Sequence, residues 1–133
     1  MPLSAVFLDA GPLGLVTDRS GKQDADDCRA WVTSLLVAGV EVMVPEIADY
    51  EVLRELIRAG KALGIGRLDR FHGGVSYLPL STMAMREAAQ LWAQTRNAGQ
   101  MTAPPLALDG DAILAGQVLA WCKDQSIALS DPM

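Results

Sequence analysis

An α/β domain with a mainly parallel central sheet and helices on both faces is the fold this sequence predicts, on three observations. Short apolar, strand-forming runs occur at 5–8, 40–44, 75–78 and 126–129. Segments with an apolar period near 3.6 residues lie between them. The resulting order, β-α-β-α-(α)-β-α-α-β, requires crossover connections, which make strands parallel and bring their carboxyl ends to one side. The 133 residues suffice for one core, so a single domain over 1–133 is expected.

In order, Ala5-Val6-Phe7-Leu8 runs into Asp9, and Ala10-Gly11-Pro12-Leu13-Gly14 reads as the break that ends the strand. Residues 15–23 read as a loop. Ligands of open α/β sheets sit beyond the carboxyl ends of strands, where Asp9 falls. Two readings of Asp9 stay open: a carboxylate capping its own turn, or a metal ligand. Asp24 is expected to cap a helix to about Ala38, with a stripe of Cys28, Trp31, Val32, Leu35 and Leu36, ended by Gly39. After the second strand, Pro45 reads as a first helical residue. That helix is expected to reach about Leu63, before a break at Gly64-Ile65-Gly66. A short piece over 67–72 and the strand at 75–78 follow. Ser81 should cap a helix to Asn97 with Met85, Ala88 and Trp92 on its core face, stopped by Gly99. A loop over 99–107 leads to Asp109, the expected cap of an almost entirely apolar helix, 112–121, buried on most sides. The last strand is placed at 126–129.

A net charge of −5 argues against a broad phosphate-binding surface while leaving room for a local basic strip. The two cysteines, Cys28 and Cys122, fit neither a zinc spacing nor a disulfide framework, and suit a reducing cytoplasm. No secretory signal is expected, and the apolar run at 35–40 is too short to span a bilayer. Neither a P-loop nor a Gly-x-Gly-x-x-Gly motif is present. The single histidine, His72, has no evident ligand partner and reads as a satisfied or exposed loop residue.

The remaining chemistry is carboxylate chemistry. Asp111 lies in the first turn of the last long helix, where the helix dipole favours an acid regardless of function. Asp109 is better explained still as an N-cap. On the helix after Pro45, Glu46 shares a mostly apolar face with Tyr50, Leu53 and Ile57. Glu51 lies on another face, with Arg54, Arg58 and Lys61 at helical offsets. That face is either a solvated row of ion pairs or a carboxylate beside a basic strip that holds a phosphate backbone. Periodicity does not choose between Glu46 and Glu51. A few carboxylates completed by water suit Mg²⁺ or Mn²⁺, which can polarise a phosphoryl oxygen and activate water near neutral pH.

Three segments resemble the PIN-domain family of metal-dependent ribonucleases, which includes the toxin nucleases of VapBC toxin–antitoxin pairs. Val6-Phe7-Leu8-Asp9-Ala10-Gly11-Pro12-Leu13 resembles the family's first strand, with Asp9 as first acid. The segment from Val44 to Leu56 resembles its strand-to-helix passage, with Glu51 matching the conserved Glu. Asp111-Ala112-Ile113-Leu114-Ala115-Gly116 resembles the segment holding the third acid, and 81–99 resembles the helix before it. The resemblance implies a Mg²⁺- or Mn²⁺-dependent endoribonuclease, with Asp9, Glu51 and Asp111 holding the metal and Asp109 accessory. Arg54, Arg58 and Lys61 would then contact RNA. Expected partners are the RNA substrate, an antitoxin protein and a second copy of the chain; none is a membrane.

The family closes with a strand carrying Thr-x-Asp or Thr-x-Asn, whereas this sequence ends Ser130-Asp131-Pro132-Met133. The expectation is that 126–133 precedes a missing last strand, with Asp131 as the alternative stand-in. The rival function is a non-catalytic RNA- or protein-binding member. A response-regulator-like phosphoacceptor ranks far lower, because Asp9 has no acidic neighbour after the first strand and no Lys follows a later one.

Overall fold

The computed structural model describes residues 4–99 and 109–130, the last five of these by their backbone. It contains two compact units, Met1–Pro79 and Leu80–Met133.

In the first unit, three parallel strands form a sheet of order β1-β2-β3: β1 (Ala5–Phe7), β2 (Glu41–Pro45) and β3 (Ser76–Leu78). Ala5 pairs with Glu41 and Phe7 with Met43; on the other side Met43 pairs with Ser76 and Pro45 with Leu78. Residues 42–45 are buried in succession. Successive side chains of a strand point to opposite faces, so both faces of the central strand are covered, as its unbroken apolar run predicts. Helices α1 (Ala10–Thr17), α2 (Gln23–Val37), α3 (Glu46–Arg58) and α4 (Ala62–His72) complete the unit. The core joins Leu8, Leu13, Val16, Val32, Val42, Val44, Ala48, Val52 and Leu68.

Several expected boundaries are corrected. The stretch from Ala10 that reads as a turn is a helix. Asp9 is its N-cap, which makes Pro12 the third helical residue. A first-turn proline loses no intrahelical bond, since those N–H groups have no partner there anyway. Helix α2 starts one residue before Asp24, with Lys22 as cap, while Asp24 accepts from the Ala25 N–H within the first turn. Its buried residues are Ala25 and Val32, whereas Trp31 and Leu36 of the expected stripe are exposed. Pro45 ends β2 rather than opening α3. Helix α3 stops at Arg58, not near Leu63. Gly60 takes a left-handed φ of 68°, and the N–H groups of Gly60 and Lys61 donate to the carbonyls of Ile57 and Leu56. That is a Schellman closure, available to glycine without a Cβ penalty. Because the chain has already turned at Gly60, Gly64 and Gly66 lie inside α4, where a break was expected.

The second unit pairs α5 (Thr82–Asn97) with α6 (Gly110–Ser130). Ser81 caps α5 as expected, its Oγ accepting from the Ala84 N–H at 3.0 Å. Ser81→Ala should therefore cost about 1 kcal/mol, read as a lower midpoint in chemical denaturation; an unmoved midpoint would make the cap idle. On α5, Ala84 and Ala88 are buried, while Met85 is exposed. On α6, Ile113, Gly116, Gln117 and Ala120 form the buried stripe, whereas Leu119 is 37% exposed, so the helix is not covered all round. The Lys123 ammonium pairs with Glu87 between the two helices.

The strand expected at 126–129 is absent: α6 continues to Ser130. From Trp121 onward no Gly or Pro interrupts the chain before Pro132, so nothing stops the helix. The expected loop beyond Gly99 and the candidate Asp131 lie outside the described residues.

Candidate functional site

The junction of β1 and α1 presents Asp9. The Leu8 N–H donates to the Met43 carbonyl at 3.0 Å, carrying the strand ladder to the residue before it. Asp9 then leaves the sheet in extended conformation and caps α1, with Oδ1 accepting from the Ala10 N–H at 2.7 Å. The capping reading thus describes a real bond. It engages one oxygen of an exposed carboxylate, at a strand's carboxyl end and at the positive end of a helix.

Glu51 is half-buried on α3. It lines a cleft of about 390 Å³ with Val52, Glu55 and Leu56 of its own helix and Ala10, Gly11, Gly14 and Thr17 of α1. Small residues on α1 keep that wall low. The residue after Asp9 therefore borders the same cleft as Glu51. Glu46 faces elsewhere. Burial first, and then the Asp49 and Glu46 carboxylates, push the Tyr77 phenol up to about 12. That places Glu46 toward β3 and leaves Glu51 toward α1, the distinction periodicity does not make. The face of Glu46, Tyr50, Leu53 and Ile57 is not the core face: Tyr50 and Ile57 are exposed, and Ile47, Ala48 and Val52 are buried instead.

The basic residues near Glu51 are mostly engaged. Arg54 lies 3.9 Å from the Glu51 carboxylate and over the Tyr50 ring at 5.2 Å. Arg58 pairs with Glu55 at 2.9 Å. Lys61 is not on α3; it precedes α4 and lines a larger groove of about 620 Å³ with Lys22, Arg67 and Asp18.

In the second unit, Asp109 is buried and caps α6, its Oδ1 accepting from the Ala112 N–H at 3.0 Å. Asp111 is exposed in the first turn of that helix. Among the described residues of either unit, no three His, Cys, Asp or Glu side chains form a metal-holding group.

A further polar cluster had no sequence signal, because its members are far apart in the chain. His72 Nε2 lies 2.6 Å from Asp49 Oδ1, and the His72 ring meets the Tyr77 ring edge-on at a centroid distance of 5.1 Å. His72 Nδ1 is buried with no hydrogen-bond partner. The histidine is satisfied on one nitrogen, and it ends α4 rather than lying in a loop.

No family model and no curated protein sequence matches this chain. Its fold is similar to that of a chain in the crystal structure of VapBC2 from Rickettsia felis bound to a DNA fragment from their promoter. The TM-score is 0.68, at 13% identity over 89% of this chain and 82% of that one. Among the described residues, no helix is long and apolar enough to cross a membrane.

Proposed function

We propose that this protein is a metal-dependent endoribonuclease of the PIN type, acting on RNA phosphodiester bonds as the toxin of a toxin–antitoxin pair. The observation that carries the reading is the exposed Asp9 carboxylate at the end of β1, one residue before Ala10, which lines a cleft together with Glu51. The likeness of fold to a VapBC2 chain supports the same class that the three sequence segments resemble. An antitoxin protein is its proposed partner and the cytoplasm its proposed compartment, in keeping with free Cys28 and Cys122.

The donor set fits a hard divalent cation, Mg²⁺ or Mn²⁺, because Asp9 and Glu51 offer only carboxylate oxygens. Asp9 Oδ1 is used by the helix N–H, which leaves Oδ2 as its donor. By resemblance Asp111 is the third ligand and Asp109 an accessory. When bound, such an ion supplies Lewis acidity at a phosphoryl oxygen and a more acidic water. The chain's own part is to fix Asp9 by its cap bond and to hold Glu51 half-buried on α3, with Arg54, Arg58 and Lys61 as proposed phosphate contacts. The direct test is single-stranded RNA incubated with the protein and Mn²⁺, with and without EDTA. Cleavage that needs the metal is expected; cleavage undiminished by EDTA would overturn the proposal.

The rival reading is a non-catalytic RNA- or protein-binding module. RNA bound but uncut in Mn²⁺ and in Mg²⁺ would establish it.

Stability separates a ligand role for Asp111 from a purely helical one. Gathered carboxylates repel, and a bound ion removes that repulsion. The ion also stabilises by about 2.7 kcal/mol when free metal is a hundredfold above its Kd. Asp111→Asn should leave the metal-free melt at or above that of the natural protein and cancel most of the Mn²⁺-induced rise. A residue serving only the helix dipole gives the opposite: a slightly lower melt and an intact metal response.

A further inference from the structure

The first unit carries a concentration of cations that the proposed metal site does not use. Arg19, Arg67 and Arg70 surround one cleft of about 280 Å³, with Val16, Thr17 and Phe71 as its remaining lining. Among the described residues, no carboxylate lines it. None of the three arginines is in an ion pair among the described residues, whereas Arg29, Arg54, Arg58 and Lys123 each are. The neighbouring groove of about 620 Å³ shares Thr17 and Arg67 with this cleft and adds Lys22 and Lys61. Its one acid, Asp18, is already engaged. Oδ1 accepts from the Ser20 N–H at 2.8 Å, and that bond, then the Ser20 side chain and beyond it Lys22 and Lys61, hold the carboxyl below its usual range. The groove in turn shares Gly14, Thr17 and Leu56 with the cleft that Glu51 lines. Three hollows thus adjoin one another along α1, whose eight residues span about 12 Å.

Like charges held together without a counter-charge repel one another, so such a cluster is best satisfied by an anion from outside. Guanidinium groups match phosphate oxygens with paired N–H donors and are weakly hydrated, which makes arginine the suited cation for a nucleic-acid backbone. Phe71 adds a half-buried ring to the wall, the element on which unpaired bases stack. In a chain of net charge −5, placing five of eleven Lys and Arg residues around one acid is a local exception to the overall balance.

We propose that the groove along α1 is the track of a single-stranded RNA substrate, with Arg19, Arg67 and Arg70 holding its phosphates at the end away from Asp9. The proposal rests on the ribonuclease reading and deepens it. It moves the principal backbone contacts from Arg54 and Arg58, which are paired to carboxylates, to three arginines that are not.

The test reads binding rather than cleavage. Fluorescence anisotropy of an end-labelled 12-nucleotide single-stranded RNA is measured in EDTA at several salt concentrations. The natural protein is compared with Arg19→Gln/Arg67→Gln/Arg70→Gln and with Arg54→Gln/Arg58→Gln, and thermal melts confirm that each variant is folded. The triple variant should lose at least tenfold in affinity. Its slope of log affinity against log salt should flatten by about 2, at roughly 0.7 for each lost phosphate contact. The Arg54/Arg58 pair should change both less. An unchanged slope in the triple variant overturns the track, as does absence of RNA binding by the natural protein. Displacement of the RNA by polyglutamate at equal charge concentration would assign the groove to an acidic protein and also overturn it. Binding with the expected slope but no cleavage in Mn²⁺ leaves the track standing and removes the nuclease reading, so the two failures are distinct.

Discussion

Glu51→Gln is expected to reduce Mn²⁺-dependent RNA cleavage by roughly 10³-fold. A bound metal would supply several kcal/mol of transition-state charge stabilisation, lost with a ligand that holds it, and each 1.36 kcal/mol is a factor of ten in rate. The fold should not notice the change. Gln has nearly the shape and helix propensity of Glu, and the Arg54 partner lies at the limit of ion pairing, 3.9 Å away with half its side chain exposed. Such a pair contributes under about 1 kcal/mol. Asp9→Asn should behave alike, because Asn caps a helix as well as Asp does and keeps an oxygen for the Ala10 N–H. The contrast is Glu46→Gln, on the face toward Tyr77, which should leave cleavage intact. Full activity in Glu51→Gln, or loss in Glu46→Gln alone, would displace the site from the α1–α3 cleft.

Gly116→Ala should be the most damaging one-carbon change in the second unit. In a helix interior this substitution normally gains about 1 kcal/mol. Here the added Cβ would overlap the Ala84 carbonyl oxygen and lie 2.8 Å from the Ala88 nitrogen and 3.0 Å from the Ala88 Cβ. Two of those atoms are backbone of a regular helix and cannot rotate aside, so α5 and α6 must separate. Overpacking costs about 1–3 kcal/mol or more, and the rigidity of these neighbours places it at the upper end. A net loss of about 2 kcal/mol is expected, with a larger one for Gly116→Val, both read from the denaturation midpoint. Leu119→Ala on the open side should cost far less. A melt of Gly116→Ala equal to that of the natural protein would rule out so close an approach.

The sequence made the strands of the first unit legible because each is a short apolar run with abrupt ends, and β2 is apolar on both faces. It misled wherever one residue type serves two purposes. Pro12 and Gly11 read as breakers, yet both are tolerated in the first turn of α1, where N–H groups are unpaired in any helix. Gly64-Ile65-Gly66 read as the break after α3, but the left-handed turn falls earlier, at Gly60. The run at 126–129 has strand-like composition, yet backbone continuity with α6 prevails where no breaker intervenes. Of the proposed site, the position of Asp9 at a strand end was legible in the sequence. Periodicity did not separate Glu51 from Glu46; the resemblance pointed to Glu51, and the fold puts Glu51 on the side of α3 that meets α1. The arginine groove was not legible, since Arg19, Arg67 and Arg70 come from a loop and a helix nearly fifty residues apart.

The division of the chain also orders its folding in time. Every strand pairing joins distant residues, Ala5 with Glu41 and Pro45 with Leu78, and such long-range parallel contacts form slowly. All of them nevertheless lie within the first 78 residues. They emerge from the ribosome ahead of both helices of the second unit. The slow reaction thus has a head start over the fast one, since α5 and α6 need only a short connection to meet. A sheet-first order of assembly follows from chain direction alone, and pulse-labelled nascent chains released at residue 80 should already protect the amides of β2.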